Sequence, residues 1–269
     1  MNLYRTKDVR EAFKELLKNQ IFTSINREAS MTSLVGNTTI EIVNANFIAD
    51  EESIFGTVNK DYITREEAWY DSMSLNVNDI PGGAPAVWKA VADKDGFINS
   101  NYGWCIYSPA NGFAGYNEAP LKISESSQYL RTIQELQKNP ESRRAMMIYT
   151  RPSMWLEYNK NGRSDFMCTN AVQYLIRDGA VHAVVQMRSN DSIFGFRNDF
   201  AWQKHVLESI TKDLNEHGNS YEVGNLYWNA GSLHIYSRHF YLVDHAIKTG
   251  ENSISKEDYT NLYPDSPYL

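Results

Sequence analysis

DFMCTNAVQYLIRDGAVHAVVQMRSNDSIFGFRNDF, residues 165–200, reads as strand, tight turn, strand and a polar loop feeding a helix. Cys168 opens the first strand, along which Val172, Tyr174 and Ile176 alternate with the period of a half-buried strand. Asp178-Gly179 is a hairpin signal, because a two-residue turn there needs positive φ. Val181, Ala183 and Val185 alternate down the return strand, and Arg188, Ser189, Asn190 and Asp191 follow as a dense polar cluster. A hairpin brings the start of its first strand beside the end of its second, so Cys168 is expected near Arg188. A nearby guanidinium favours the thiolate, and Arg188 can also grip a phosphate with two parallel hydrogen bonds. Asp199, expected at the mouth of the following helix, can read a polar ligand edge. Residue type alone does not make Cys168 catalytic, since most cysteines are small buried hydrophobes.

Composition narrows the classes. A chain of 269 residues, 42% hydrophobic, supports one large domain with a real core, expected over 1–269. A formal net charge of −7 argues against an overall nucleic-acid footprint, so an anionic ligand would need local arginines. Cys105 and Cys168 are the only two cysteines, too few for a disulfide framework, which points to a reducing compartment, the cytosol. The start, MNLYRTKDVREAFKELL, is too charged for a secretory signal, and no apolar run approaches a membrane span. The 17 Tyr and 6 Trp suit flat-ring ligands and suit a core equally. No metal-ligand cluster, phosphate-binding loop or dinucleotide fingerprint is legible.

The rest of the chain places further candidates. Thr6 is expected to cap a helix to about residue 20, with Val9, Ala12, Phe13, Leu16 and Leu17 as its apolar stripe. A loop is expected over 24–37 and a strand over 39–48. A helix over 62–74 has Thr64 and Glu67 at capping-box spacing, and Glu66 and Glu67 read by themselves as surface charges. Trp88 sits in a short helix after Pro81-Gly82-Gly83, where a core aromatic is the plainer reading. Further elements are a loop over 110–124, a helix over 127–138, Arg143-Arg144 before the apolar strand AMMIYT, and a polar hairpin-like loop over 158–164. The long helix is expected over 199–216 with Ala201, Leu207, Ile210 and Leu214 inward, ended by Gly218. A strand is expected over 224–230. His234 and Tyr236 follow with strand spacing, so both point to one face. A last helix over 239–248 precedes a polar tail ending in SPYL.

FMCTN, MRSND with FGFRND, and WNAGSLHIYSRH from Trp228 occur in an order that resembles the thymidylate synthase superfamily. The likeness runs from about residue 39 to 250. Within the superfamily it is most similar to the deoxycytidylate hydroxymethylases of T-even-type bacteriophages. The resemblance implies an α/β fold, a twisted mixed sheet with packed helices, and a homodimer formed through the sheet. It implies Cys168 as nucleophile and Glu66 as proton-handling carboxylate, since the family places a glutamate three residues before a tryptophan, here Trp69. It further implies Arg188, Ser189, Asn190, His234, Tyr236 and Tyr102 around a nucleotide, and Arg143 and Arg144 crossing to the partner's phosphate. Arg27 is the only basic residue at the place of a further phosphate contact. Trp88, Asp191 and Gly195 would lie beside a folate, with 5,10-methylenetetrahydrofolate as co-substrate and dCMP as substrate.

Asp199 carries the choice of base. Uracil offers a ring N–H donor and a carbonyl acceptor, which an asparagine amide complements, and thymidylate synthases carry Asn there. Cytosine offers an acceptor nitrogen and an amino donor, which a carboxyl group sharing a proton complements. Aligning on Gly195 puts Asp199, not Asn198, at this position. The resemblance favours a hydroxymethyl product made by water. A methyl product made by hydride, on dCMP or as a thymidylate synthase, and a non-catalytic nucleotide-binding homologue stay open. It also implies that a phage-encoded chain would act in the host cytoplasm, with no direct contact to nucleic acid or membrane.

Overall fold

The structure is a computed structural model that describes residues 4–24, 38–108 and 127–269. Arg27, most of the loop expected at 24–37 and all of that expected at 110–124 lie outside the described residues. The chain divides into two compact units, one of residues 1–59, 187–201 and 227–269, the other of 60–186 and 202–226.

In the first unit, α1 (Thr6–Lys18) packs on β2 (Thr38–Ala49), which pairs antiparallel with β1 (Thr23–Ser24). Val9, Phe13 and Leu17 face inward, whereas Ala12 is exposed and Arg10 is buried in its place. Arg10 is held there by Glu51, 2.6 Å away, and by the Ile54 carbonyl, 2.7 Å away. Thr6 does not cap the helix. Arg5 is the capping residue, its N–H donating to Asp8 at 2.8 Å, while Thr6 is the first helical residue and its hydroxyl accepts from the Asp50 N–H. The carboxylate three residues into the helix has taken over the reciprocal half of a capping box.

The long helix α7 spans Phe194–Asn215 and so starts five residues before the expected Asp199. Gly195 and Asn198 are weak helix formers, which made GFRND read as a loop. The override comes from Asp191, whose carboxylate accepts from the N–H groups of Ile193 (3.1 Å) and Phe194 (3.3 Å) and caps the helix early. β7 (Glu222–Tyr236) is longer than expected and carries His234 and Tyr236 on the same strand as Gly224. α8 (Phe240–Thr249) ends at Gly250 with φ 83°. The polar tail holds a helix that patterning missed, α9 (Lys256–Leu262), pinned by fully buried Tyr259, whose hydroxyl bonds Asp244 and Ser266.

In the second unit, β4 (Thr169–Arg177) and β5 (Ala180–Met187) follow the expected hairpin, with Asp178 and Gly179 at φ 50° and 77°. Val172, Tyr174, Val181, Ala183 and Val185 are fully buried. Cys168 immediately precedes β4 rather than opening it. β3 (Met146–Ile148) pairs antiparallel with β4, Met147 opposite Val172, and forms the sheet edge. The strand order is β1-β2-β7-β5-β4-β3 in one mixed sheet, with β6 (Asn190–Asp191) parallel to β7.

The helices of this unit are α2 (Lys60–Asp71), α3 (Ala86–Val91), α4 (Tyr102–Tyr107), α5 (Gln128–Lys138) and α6 (Met154–Glu157). α2 begins four residues before Thr64, so that hydroxyl donates back to the Lys60 carbonyl and caps nothing. A 3-10 turn at Lys160–Gly162 occupies the loop expected at 158–164. Gly103 is required by a close approach: a Cβ there would stand 1.8 Å from the Tyr70 carbonyl oxygen, so only glycine lets α4 lie this close to α2. Among the described residues no helix is long and apolar enough to cross a membrane, and no group of three His, Cys, Asp or Glu is placed to hold a metal.

Candidate active site

Helical spacing separates Glu66 from Glu67. Position 66 falls on the inner face of α2 with Trp69 and Tyr70, leaving Glu66 4% exposed and Glu67 only half-buried. Glu66 Oε1 accepts from the Tyr62 hydroxyl at 2.6 Å and from the Trp88 indole N–H at 3.0 Å. Burial pushes the Glu66 carboxyl above its ordinary value, and these two neutral donors oppose the push without reversing it. A carboxyl group so placed is suited to holding and passing on a proton. Tyr62 was not singled out from the sequence, although its place four residues before Glu66 on one helix was a usable signal.

Trp88 is half-buried, its ring edge-on to Trp69 at 5.4 Å. Tyr102, at the start of α4, stacks on Tyr70 at 5.3 Å, which sets it against the helix that carries Glu66. Cys168 is half-buried, with its sulfur 3.8 Å from the Phe166 carbonyl. Cys105 is fully buried, and burial pushes its thiol up to about 12, so it supplies no thiolate at neutral pH. Arg143 and Arg144 are exposed beside β3; Arg144 pairs with Glu135 at 2.9 Å.

The first unit assembles the remaining candidates on β6, β7 and the start of α7. The Arg188 carbonyl accepts from the Ser232 N–H (3.2 Å), and the Ser192 N–H donates to the His234 carbonyl (2.8 Å), so 188–192 runs along β7. Arg188 is exposed and Ser189 half-buried. Asn190 is 2% exposed and donates its amide to Asp199 Oδ2 at 2.7 Å, while its Oδ1 is buried with no hydrogen-bond partner among the described residues. Asp199 therefore sits in the second turn of α7, not at its mouth, with one carboxylate oxygen fixed by an amide. Gly195 leaves the space for this: a Cβ there would stand 3.3 Å from the Asp191 Cβ and 3.4 Å from the Asn190 amide nitrogen.

His234 is buried and Tyr236 half-buried, their rings 4.8 Å apart, as expected for alternate positions on one strand. The His234 Nδ1 is 3.2 Å from the Ser232 hydroxyl, which bonds the Glu41 carboxylate of β2. Arg238 lies over the Tyr236 ring at 4.8 Å. Glu41 had no sequence signal, because strand pairing over 191 residues brings it to Ser232; Ser232 and Arg238 lie in the motif from Trp228 but were not singled out within it.

The sequence pattern of the thymidylate synthase family matches residues 37–258. The chain is 56% identical over 230 residues to the deoxycytidylate 5-hydroxymethyltransferase of Enterobacteria phage T4, covering 85% of this chain and 88% of that protein. It is 56% identical over 226 residues to the enzyme of the same name from Enterobacteria phage T6, covering 83% and 86%. The thermostable thymidylate synthase A from Bacillus subtilis shares the fold, with a TM-score of 0.64 at 19% identity over 89% of this chain and 84% of that one. With the family pattern matched over most of its length and a burial pattern to accompany it, the chain belongs to the thymidylate synthase family.

Proposed function

We propose that the protein is a deoxycytidylate 5-hydroxymethyltransferase. It joins a one-carbon unit to carbon 5 of dCMP and adds water to give 5-hydroxymethyl-dCMP. The observation that carries the base is Asp199, an acceptor held by Asn190 at 2.7 Å within a helix. A carboxyl group sharing a proton with the ring nitrogen and accepting from the amino group complements cytosine, and uracil presents the opposite pattern. The 56% identity to phage enzymes of that name supports the same choice.

Cys168 adds as thiolate to carbon 6 of the ring, which makes carbon 5 a carbanion equivalent and splits one hard step into easier ones. Glu66 holds and passes the protons, its raised affinity suiting a group that must be refilled each turnover. Arg188 and Ser189 hold the phosphate, with Arg143 and Arg144 reaching from a second copy. His234 and Tyr236 bind the sugar hydroxyl, and Tyr102 lies by the nucleophile. 5,10-Methylenetetrahydrofolate, when bound, supplies the one-carbon electrophile, which side chains cannot. The residues fit such a flat-ring group: the half-buried Trp88 indole is fixed in orientation by Glu66 and Trp69, and Asp191 and Gly195 stand together at the start of α7. The whole chain works as one catalytic domain, and a phage-borne copy acts in the host cytoplasm.

The homodimer forms through the sheet. Leu175 and Val184 on the outward faces of β4 and β5 are half-buried apolar residues, and Met146 and Ile148 on the edge strand are 37% and 53% exposed. Mixing an Arg143→Ala chain with a Cys168→Ala chain should restore part of the activity. No complementation despite verified subunit exchange would mean that each site is built within one chain. Incubating purified protein with dCMP and methylenetetrahydrofolate and identifying the product by mass spectrometry tests the reaction. Hydroxymethyl-dCMP is expected; a methylated product, or turnover of dUMP in preference to dCMP, would overturn the reading.

A further inference from the structure

Asp165 is a buried carboxylate that the chemistry above does not use. It is 6% exposed. Its Oδ2 accepts two neutral donors, the Asn99 backbone N–H at 2.7 Å and the Ser100 hydroxyl. The Asn99 amide donates back to the Asp165 carbonyl at 3.4 Å, and Oδ1 is buried with no partner among the described residues. Burial raises the affinity of this carboxyl group for its proton.

The two ends of this contact stand in telling places. Asp165 is three residues before Cys168, and Asn99 and Ser100 are three and two residues before Tyr102. The residue between, Asn101, caps α4 by accepting from the Trp104 N–H at 2.7 Å. Its amide also donates to the Ser74 carbonyl at 2.8 Å, tying it to the chain just past α2. The Asn99 side is backed by Arg151, which donates to the Asn99 carbonyl at 3.5 Å and pairs with Glu157. One side of the contact is therefore anchored to the helix pair, and the other is the strap on which the thiol hangs.

We infer that Asp165 is a positioning residue: its Oδ2 staples the strap that carries Cys168 to the segment that carries Tyr102, and so sets where the thiol stands. The inference rests on the reading of Cys168 as the nucleophile. Removing the acceptor strands a buried N–H and a buried hydroxyl, and leaves the strap to the longer contact of the Asn99 amide with the Asp165 carbonyl and to the packing of Phe166 on Trp155 and Tyr158. Reaction rates are sensitive to such slack, with a displacement of about 1 Å at the reacting atoms costing about a hundredfold.

The test uses a Cys105→Ala background, in which Cys168 is the only thiol. Asp165→Asn keeps an acceptor for both donors and puts its amide where Oδ1 has no partner, so kcat should stay within about threefold of the parent, well short of the loss that a displaced nucleophile brings. Asp165→Ala should lower kcat by about thirtyfold or more while dCMP binding changes little, and iodoacetamide should alkylate Cys168 faster, because the strap is released. Parental kcat and alkylation in Asp165→Ala would overturn the proposal. So would an Asp165→Asn protein as damaged as Asp165→Ala, since charge rather than the hydrogen bonds would then matter. If Asp165→Ala does not fold, Ser100→Ala removes one donor alone and should still lower kcat by about tenfold; an unchanged kcat there refutes the staple. Turnover by Cys168→Ser would instead sink the nucleophile reading, a result that these variants do not produce.

Discussion

Two carboxylates in two regions of this chain are handled in opposite ways. Glu66 is buried on α2 and meets only a phenol and an indole N–H, neutral donors that leave burial dominant and the carboxyl inclined to hold its proton. Asp199 is half-buried on α7, with one oxygen fixed by the Asn190 amide. The first environment suits a proton carrier and the second a fixed reader of a ligand edge. Identical chemistry is sorted into roles by what surrounds it, through desolvation in one case and orientation in the other.

The strongest way to break this division is to remove the nucleophile that both carboxylates would serve. Cys168→Ser should abolish turnover while dCMP binding stays within about tenfold, about 1.4 kcal/mol. Cys105→Ala should behave as the parent, because that thiol is fully buried and does not ionise near neutral pH. Substantial turnover by purified Cys168→Ser would remove both carboxylates' proposed partner.

The next largest effect is expected at the reader. Asp199→Asn presents an N–H to the cytosine amino group, a mismatch worth about 1–3 kcal/mol before any loss of ring activation. Turnover of dCMP should fall by more than dCMP binding, and activity toward dUMP should rise, since the lost proton sharing acts in the transition state. Comparing kcat/KM for both nucleotides in both proteins decides it. A variant that keeps the parental preference would return the role to Asn198.

The proton carrier is sharpened by a stability measurement. A carboxyl group whose affinity for protons is raised by folding stabilises the protein below its unfolded pKa, and that contribution is lost as pH rises through the folded pKa. Glu66→Gln should therefore melt higher than the parent at neutral pH, with the difference shrinking as pH falls through the folded pKa and gone below the ordinary glutamate range. Equal melting temperatures at all pH values would show that Glu66 is not held protonated by its surroundings. Turnover should be lost in this variant although the fold is kept.

The smallest expected effect lies beside the reader. Gly195→Ala puts a methyl group 3.3 Å from the Asp191 Cβ and 3.4 Å from the Asn190 amide nitrogen, so these neighbours must give by a few tenths of an ångström, and the Asn190 amide that holds Asp199 shifts with them. KM for dCMP should rise by several-fold with kcat changed less, a loss of about 1 kcal/mol for a loosened hydrogen bond. An unchanged KM would mean that the pair has room to adjust.

The hairpin was legible because both of its signals are local: alternation along each strand and a turn that needs positive φ at Asp178 and Gly179. The start of α7 was not, since Asp191 caps it from outside the stretch that shows helical periodicity. The tail helix escaped for a related reason. Its polar sequence carries no apolar stripe, and it is held by one buried phenol on Asp244. Residues 165–200, with the motif from Trp228 and the order in which these motifs occur, determined by themselves the fold family, the candidate thiol and the acidic residue at the base-reading position. Tertiary structure alone decided that Glu66 is buried where Glu67 is only half-buried, that Asn190 holds Asp199, and that Asp165 ties two segments 66 residues apart. Periodicity and turn chemistry act between near neighbours and are written in the chain, whereas burial depth and hydrogen-bond partners arise only when distant segments exclude water together.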